Sequence, residues 1–264
     1  MKILFVEPPK DIWFVMGEYL PPPYGIIQLA AYLEREVNGT EIEVLDCNAQ
    51  QVDWTGLERQ IDNFNPDIVA SSALATCNTY VVARTLETAK RINPEILTVT
   101  GGQHFTATAQ ESLEQYPEID IVVRGEGEQT LTELVRNVDK KSHFSKIKGI
   151  SFRQKEKIFH NPPRSLIENL DDLPYPGYHF VNDVVRKYHF AAMAGLNAPY
   201  ALIEGSRGCT HACTFCTQWG HWQRKWRVKS SKRIADEIEF CYQNYGSRFI
   251  WLTDDNLGFG ERVN

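Results

Sequence analysis

Over residues 1 to about 140, short apolar runs alternate with helical patterns five times, and no other feature restricts the fold as much. The runs Lys2–Val6, Glu41–Asp46, Asp67–Ser71, Ile96–Thr100 and Ile119–Val123 have the length of strands. Between and after them lie helical patterns near Gly25–Val37, Trp54–Phe64, Thr79–Ile92, Thr108–Gln115 and Glu128–Val138. In the second of these, Trp54, Leu57, Ile61 and Phe64 fall on one helical face. Five strands, each followed by a helix, predict an α/β fold with a doubly wound parallel sheet of the flavodoxin-like type. Such sheets bind ligands beyond the carboxyl ends of their strands, so function is sought in the loops that begin there.

Three of those loops carry distinctive residues. The third strand runs into Ser72-Ala73-Leu74, the fourth into Gly101-Gly102-Gln103-His104, and the fifth into Arg124-Gly125-Glu126-Gly127-Glu128. Paired glycines let backbone approach a bulky ligand because no Cβ intervenes. His104 can face that ligand, or cap or hydrogen-bond the helical stretch that follows.

Beyond residue 140 the pattern changes. Lys148–Arg153 and Lys157–His160 read as a hairpin joined by a polar turn, and Leu170–Gly177 as a proline-broken connector. Tyr200–Glu204 reads as a buried strand leading into Cys209-Thr210-His211-Ala212-Cys213-Thr214-Phe215-Cys216, which holds three of the six cysteines in eight residues. Ser230–Tyr245 then reads as a helix, with Ile234, Ile238, Cys241 and Tyr245 as its apolar stripe. A strand over Arg248–Thr253 ends in Asp254-Asp255-Asn256. Strand, ligand loop, helix, strand is the opening of a β/α barrel.

Three thiolates at C-x3-C-x2-C spacing can hold three irons of a 4Fe–4S cluster, one short of the usual four cysteine ligands. The loop also permits a zinc site with His211 or His221, although no second cysteine pair follows, or a redox thiol pair. A disulfide framework is disfavoured in a chain of 264 residues with so few and so uneven cysteines. Cys47, Cys77 and Cys241 are expected to be buried small hydrophobes. A hydrophobic content of 42% supports one large core or two smaller ones, and a net charge of −6 argues against a general nucleic-acid binder. No apolar run approaches the ~20 residues that span a bilayer. Met1–Pro9 reads as a strand entering a turn and not as a signal peptide, so a cytoplasmic location is expected.

The cysteine loop, with Phe215 at the aromatic position of C-x3-C-x-aromatic-C, resembles the radical S-adenosylmethionine superfamily. Ser72-Ala73-Leu74, the Gly101-Gly102 pair, the V-R-G-E-G-E turn and the L-D-D-L-P-Y-P linker together resemble its cobalamin-binding members. That resemblance implies residues 1–140 as a cobalamin-binding domain, 141–198 as hairpin and linker, and 199–264 as the amino-terminal portion of a radical core. It implies Cys209, Cys213 and Cys216 as cluster ligands, with Phe215, Thr253, Asp254, Asp255 and Asn256 at S-adenosylmethionine. Asp254 and Asp255 can equally cap a turn. Ser72, Leu74, Gly101, Gly102, His104, Gly125 and Gly127 are the implied cobalamin contacts. The D-x-H-x-x-G motif of other cobalamin domains is absent and no histidine precedes His104, so cobalamin is expected without a histidine from the first loop. The loop Tyr19–Gly25 is similar to the proline-rich segment of the radical version.

The implied activity is reductive cleavage of S-adenosylmethionine, followed by radical methyl transfer or oxidative cyclisation. It implies a small-molecule, lipid or tetrapyrrole-like substrate and an external electron donor of ferredoxin or flavodoxin type. A methylthiotransferase also shares the cysteine loop but would need three more cluster cysteines, where the first domain has only Cys47 and Cys77. A non-catalytic cobalamin- or nucleotide-binding module is a further alternative. The segment Trp219–Lys229 interleaves tryptophans with cations, as single-strand binders do, or covers the cluster. Because the barrel pattern stops after its second strand, the chain is expected to be a fragment or to be completed by a partner chain.

Overall fold

The computed structural model describes residues 1–10, 19–73, 75–138, 141–194 and 198–256, apart from the side chains of Lys141, Ser142 and Trp219. The chain forms two compact units: residues 1–13 with 29–165, and residues 14–28 with 166–264.

The first unit is built on a seven-stranded sheet. Its strands are β1 (Lys2–Glu7), β2 (Glu41–Asp46), β3 (Ile68–Ser72), β4 (Leu97–Gly101), β5 (Ile121–Val123), β6 (Ile150–Gln154) and β7 (Lys157–His160). Their order is β2-β1-β3-β4-β5-β6-β7, with β1 to β5 parallel and β6 and β7 antiparallel. The 2-1-3-4-5 order is that of flavodoxin-like sheets, with its switch point beside β1. The hairpin expected as part of a linker instead extends this sheet, because β6 pairs with the open edge of β5 through Val123 and Ile150.

The apolar faces match their periodicity. Leu57, Ile61 and Phe64 of the helix Trp54–Phe64 enter a core with Leu4, Val6, Val69, Leu86 and Val122. Asp53 caps that helix by accepting from the Gly56 amide at 2.7 Å. Cys47 is buried as expected, and burial pushes its thiol pKa far up. Cys77 is exposed, contrary to expectation, because it lies in the turn Thr76–Asn78 outside the core.

The second unit contains the parallel pair β8 (Tyr200–Ile203) and β9 (Phe249–Leu252), with the helix Ser231–Tyr245 between them in sequence. Ser230 caps that helix through the Arg233 amide, and Gly246 ends it with φ +68°. The Tyr178 hydroxyl donates to the Leu202 carbonyl at 2.8 Å and accepts from its amide at 2.7 Å. It thereby occupies backbone groups that a bare strand edge would present.

Residues of the Tyr19–Gly25 loop belong to this unit. Tyr19–Leu20 pairs antiparallel with His189–Phe190, and the Glu204 amide donates to the Tyr24 hydroxyl at 3.2 Å. The first unit thus includes the hairpin, while the connector falls with the second.

The expected stripe of the helix Ser231–Tyr245 is corrected at one position. Ile238 is exposed, and Glu237 takes the buried place between Ile234 and Cys241. Its carboxylate accepts from Lys229 Nζ at 2.7 and 2.9 Å, and from Arg233 Nε at 2.7 Å. Lys229 and Glu237 side chains are both fully buried. Arg233 lies over the Tyr175 ring and donates to the Leu173 carbonyl, while Asp171 accepts from the Ser230 amide. The proline-broken connector is held to the helix in this way.

Removing one partner of a buried ion pair strands the other charge, at about 3–5 kcal/mol. Glu237→Ala is expected to lower unfolding stability by that order in urea titrations. An apolar double replacement of Lys229 and Glu237 is expected to cost much less.

Candidate functional site

In the first unit, the site residues foreseen in sequence gather at the carboxyl ends of β3, β4 and β5. Ser72 ends β3 in register with Gly101. Gly102 has φ +89°, and a Cβ there would stand 2.6 Å from the Ala73 carbonyl oxygen. A Cβ on Gly101 would stand 3.0 Å from the Val123 carbonyl oxygen. The glycine pair thus answers first to neighbouring backbone, a demand separate from room for a ligand. Leu74 lies outside the described residues.

The loop after β4 is shorter than the sequence pattern indicates. A helix over Gln103–Ala107 starts directly after Gly102 and carries His104. Thr76 Oγ1 and His104 Nδ1 are 3.1 Å apart, and the ring meets Phe105 edge-on at 5.4 Å. With Nδ1 engaged, Nε2 is the ring nitrogen left for a ligand. The Gly125 amide donates to Thr106 Oγ1 at 3.1 Å, and Gly125 has φ +74° with open space where a Cβ would be. Gly127 opens the helix Gly127–Arg136 against the Leu29 side chain.

In the second unit, β8 leads through Glu204 to the two-residue ladder of Ser206–Arg207 with Arg227–Val228, which closes the base of the cysteine loop. Gly208 follows with φ +92°, and a Cβ there would lie only 2.1 Å from the Lys225 carbonyl oxygen. Arg207 and Glu204 form a largely buried ion pair at 2.7 Å.

Cys209 and Cys216 are half-buried, Cys213 is exposed, and all three are free thiols. The Cys216 amide donates to the Cys213 carbonyl at 3.0 Å, and Phe215 is 89% exposed. Among the described residues, no three His, Cys, Asp or Glu side chains converge as a group able to hold one metal ion. A cluster makes a different demand, since each thiolate takes its own iron. Three free thiols on one accessible loop fit that donor chemistry.

The residues after β9 turn back onto this loop. Thr253 donates its amide to the Ile203 carbonyl at 3.0 Å. Asp254 accepts from the Gly205 amide at 2.7 Å, the Ser206 amide at 3.1 Å and the Ser206 hydroxyl at 2.7 Å. Asp255 accepts from Trp222 Nε1 at 2.9 Å. Desolvation raises the Asp255 pKa from its ordinary value, the Trp222 bond offsets part of this, and the Asp254 charge adds to the rise. The Asn256 carbonyl accepts from Trp226 Nε1 at 3.1 Å, and its side-chain amide donates to Cys209 Sγ at 3.7 Å.

The tryptophan-rich segment is used in the same way. Trp222 and Trp226 hold the Asp255–Asn256 turn, while buried Arg227 lies over the Trp222 ring and donates to the Ile167 carbonyl. Sequence reading missed Tyr24, Glu204 and Arg207, whose partners lie far away in sequence or carry no motif.

Comparison with known proteins agrees with this layout. A B12 binding domain is matched over residues 15–135. An uncharacterised methyltransferase of Pyrococcus horikoshii is 33% identical over 99% of this chain and 55% of its own length. The anaerobic magnesium-protoporphyrin IX monomethyl ester cyclase of Rubrivivax gelatinosus is 32% identical over 97% of this chain and 45% of its own. Residues 15–135 are thus similar to a B12 binding domain, and the likeness to these relatives runs on through the cysteine loop. The solved structure of the cobalamin-dependent S-adenosylmethionine radical enzyme OxsB shares the fold, with a TM-score of 0.74 at 19% identity over 97% of this chain and 34% of that one. The chain spans about half the length of the curated relatives named here.

Gly102→Ala forces a side chain into a left-handed conformation against a carbonyl, a strain of about 1–3 kcal/mol. It is expected to lower the urea midpoint of the ligand-free chain. An unchanged midpoint would return Gly102 to a purely ligand-facing role.

Proposed function

We propose that this chain forms the cobalamin and cluster-binding portion of a cobalamin-dependent radical S-adenosylmethionine enzyme, acting by radical methyl transfer or oxidative cyclisation. The observation that carries the reading is one chain joining the Cys209–Cys216 loop to a flavodoxin-like unit with Ser72 and Gly101–Gly102 at its strand ends. The relatives support it by name: one is a methyltransferase, one a cyclase, and OxsB was solved with aqua-cobalamin and S-adenosylmethionine bound.

Cys209, Cys213 and Cys216 would hold a 4Fe–4S cluster, leaving one iron for S-adenosylmethionine. Ser72, Gly101, Gly102, His104, Gly125 and Gly127 would line the cobalamin slot, and Phe215 with the residues after β9 would flank S-adenosylmethionine. When bound, these groups supply an electron to cleave S-adenosylmethionine and a methyl group or radical site for the substrate. The chain's own residues hold that machinery: Gly208 sets the start of the cysteine loop, and Arg207 with Glu204 fixes the backbone that leads into it. The substrate would be a small molecule, and an external one-electron donor would be needed.

Anaerobic reconstitution is expected to give about four irons and four sulfides per chain, lost in Cys209→Ala, Cys213→Ala and Cys216→Ala. About eight irons would favour the methylthiotransferase alternative, and none would favour a bare binding module. Cobalamin titration of the same sample is expected to saturate at one per chain. We further propose that cobalamin is held with its own base detached and without a protein histidine, and nitrogen superhyperfine coupling in the reduced paramagnetic spectrum would overturn this.

A further inference from the structure

By its position the turn Asp254–Asn256 suits a contact for S-adenosylmethionine, and its side chains also bond to the cysteine loop and to the residues at its base. Asp254 holds the two residues at the loop's base with three hydrogen bonds, all between 2.7 and 3.1 Å. Two residues on, the Asn256 side-chain amide points its N–H at Cys209 Sγ, 3.7 Å away, within the range of a bond to sulfur. The turn is itself secured from the other side by the Trp222 and Trp226 indoles. A carboxylate that fixes the base and an amide that reaches the first thiol together form a built arrangement, supported from both of its flanks.

Resting on the reading of Cys209 as a cluster ligand, we infer that Asn256 is a positioning residue that tunes the cluster's reduction potential, with Asp254 setting its distance from Cys209. Hydrogen bonds to cluster sulfurs are among the determinants of iron–sulfur potentials. An N–H aimed at a ligating thiolate stabilises negative charge there, and a reduced cluster carries one negative charge more than an oxidised one. The bond therefore favours reduction, which is the state that must deliver an electron. Removing it makes the cluster harder to reduce. A carboxylate in its place does so further, because its charge opposes that of the thiolate.

The test is an anaerobic redox titration of the reconstituted full chain, followed by electron paramagnetic resonance without S-adenosylmethionine. Asn256→Ala is expected to shift the midpoint to lower potential, and Asn256→Asp to shift it further. Asn256 bonds Trp226 through its backbone carbonyl, so both replacements leave that contact in place. If Asn256→Asp does not retain iron, the alanine variant alone decides the matter. Asp254→Asn keeps an acceptor for the loop amides and is expected to retain the cluster. Asp254→Ala is expected to retain less iron and to broaden the spectrum.

Coincident midpoints for wild type and Asn256→Ala overturn the inference, whatever happens to S-adenosylmethionine binding. Weaker S-adenosylmethionine binding alongside them would leave the turn as a contact for that ligand alone. A wild-type chain that takes up no cluster overturns the cofactor reading, and this inference with it. A wild type that forms its cluster while the variants leave the potential unmoved removes only the inference.

Discussion

Backbone packed directly against backbone is the constraint on which both groups of candidate residues depend. In the first unit, Gly102 meets the Ala73 carbonyl and Gly101 the Val123 carbonyl where parallel strands end. In the second, Gly208 meets the Lys225 carbonyl at the foot of the cysteine loop. At Gly102 and Gly208 the contacts exclude a Cβ and the positive φ excludes most residues independently, while at Gly101 a Cβ would crowd the carbonyl. The chain can then leave a strand and turn within one or two residues. His104 and Cys209 consequently lie directly beyond strand ends, where a sheet of this kind offers ligands its free polar groups.

Polar side chains in the second unit fix the loops that such turns begin. Glu204 holds Arg207, Asp254 holds Gly205 and Ser206, and Glu237 holds Lys229 at the far end of the same excursion. Lys229 also donates its amide to the Gly205 carbonyl at 2.9 Å, so the excursion is closed where it leaves and where it returns. Burying Lys229 with Glu237 is costly unless the partners satisfy each other, and Arg233 supplies a further donor to the shared carboxylate. The three cysteines thus rest on a base with few alternative arrangements, Cys209 and Cys216 half-buried, while Phe215 and Cys213 remain outside at the surface.

The fold was legible in sequence wherever one local signal decided the outcome. The five strands and the stripe of Leu57, Ile61 and Phe64 were each written within a dozen residues. What escaped depended on partners distant in the chain. Glu237 looks like a solvent-facing residue until Lys229 is placed beside it, and Ile238 then yields its expected place. The Tyr19–Leu20 segment reads as part of the first sheet's loops, but its pairing partner lies near residue 190. Cys77 carries the same label as Cys47, and only the turn around it makes it exposed. The candidate site was legible as a set of residue types, since spacing marks the cysteines and glycines. Which group each of them serves was not.

That difference matters most at the turn after β9. A carboxylate and an amide at the carboxyl end of a barrel strand are natural ligand contacts, and position alone would leave the assignment there. Yet Asp254 already accepts three hydrogen bonds from Gly205 and Ser206, which commits both of its oxygens to the chain. A carboxylate so committed can serve a ligand only through its remaining lone pairs, or by giving up backbone amides that would then need other partners. Asp255 is engaged by Trp222, and Asn256 directs its amide at a thiol. Polar residues at a strand end need not address a ligand to matter for chemistry there. They can do so by ordering the loop that carries the thiols.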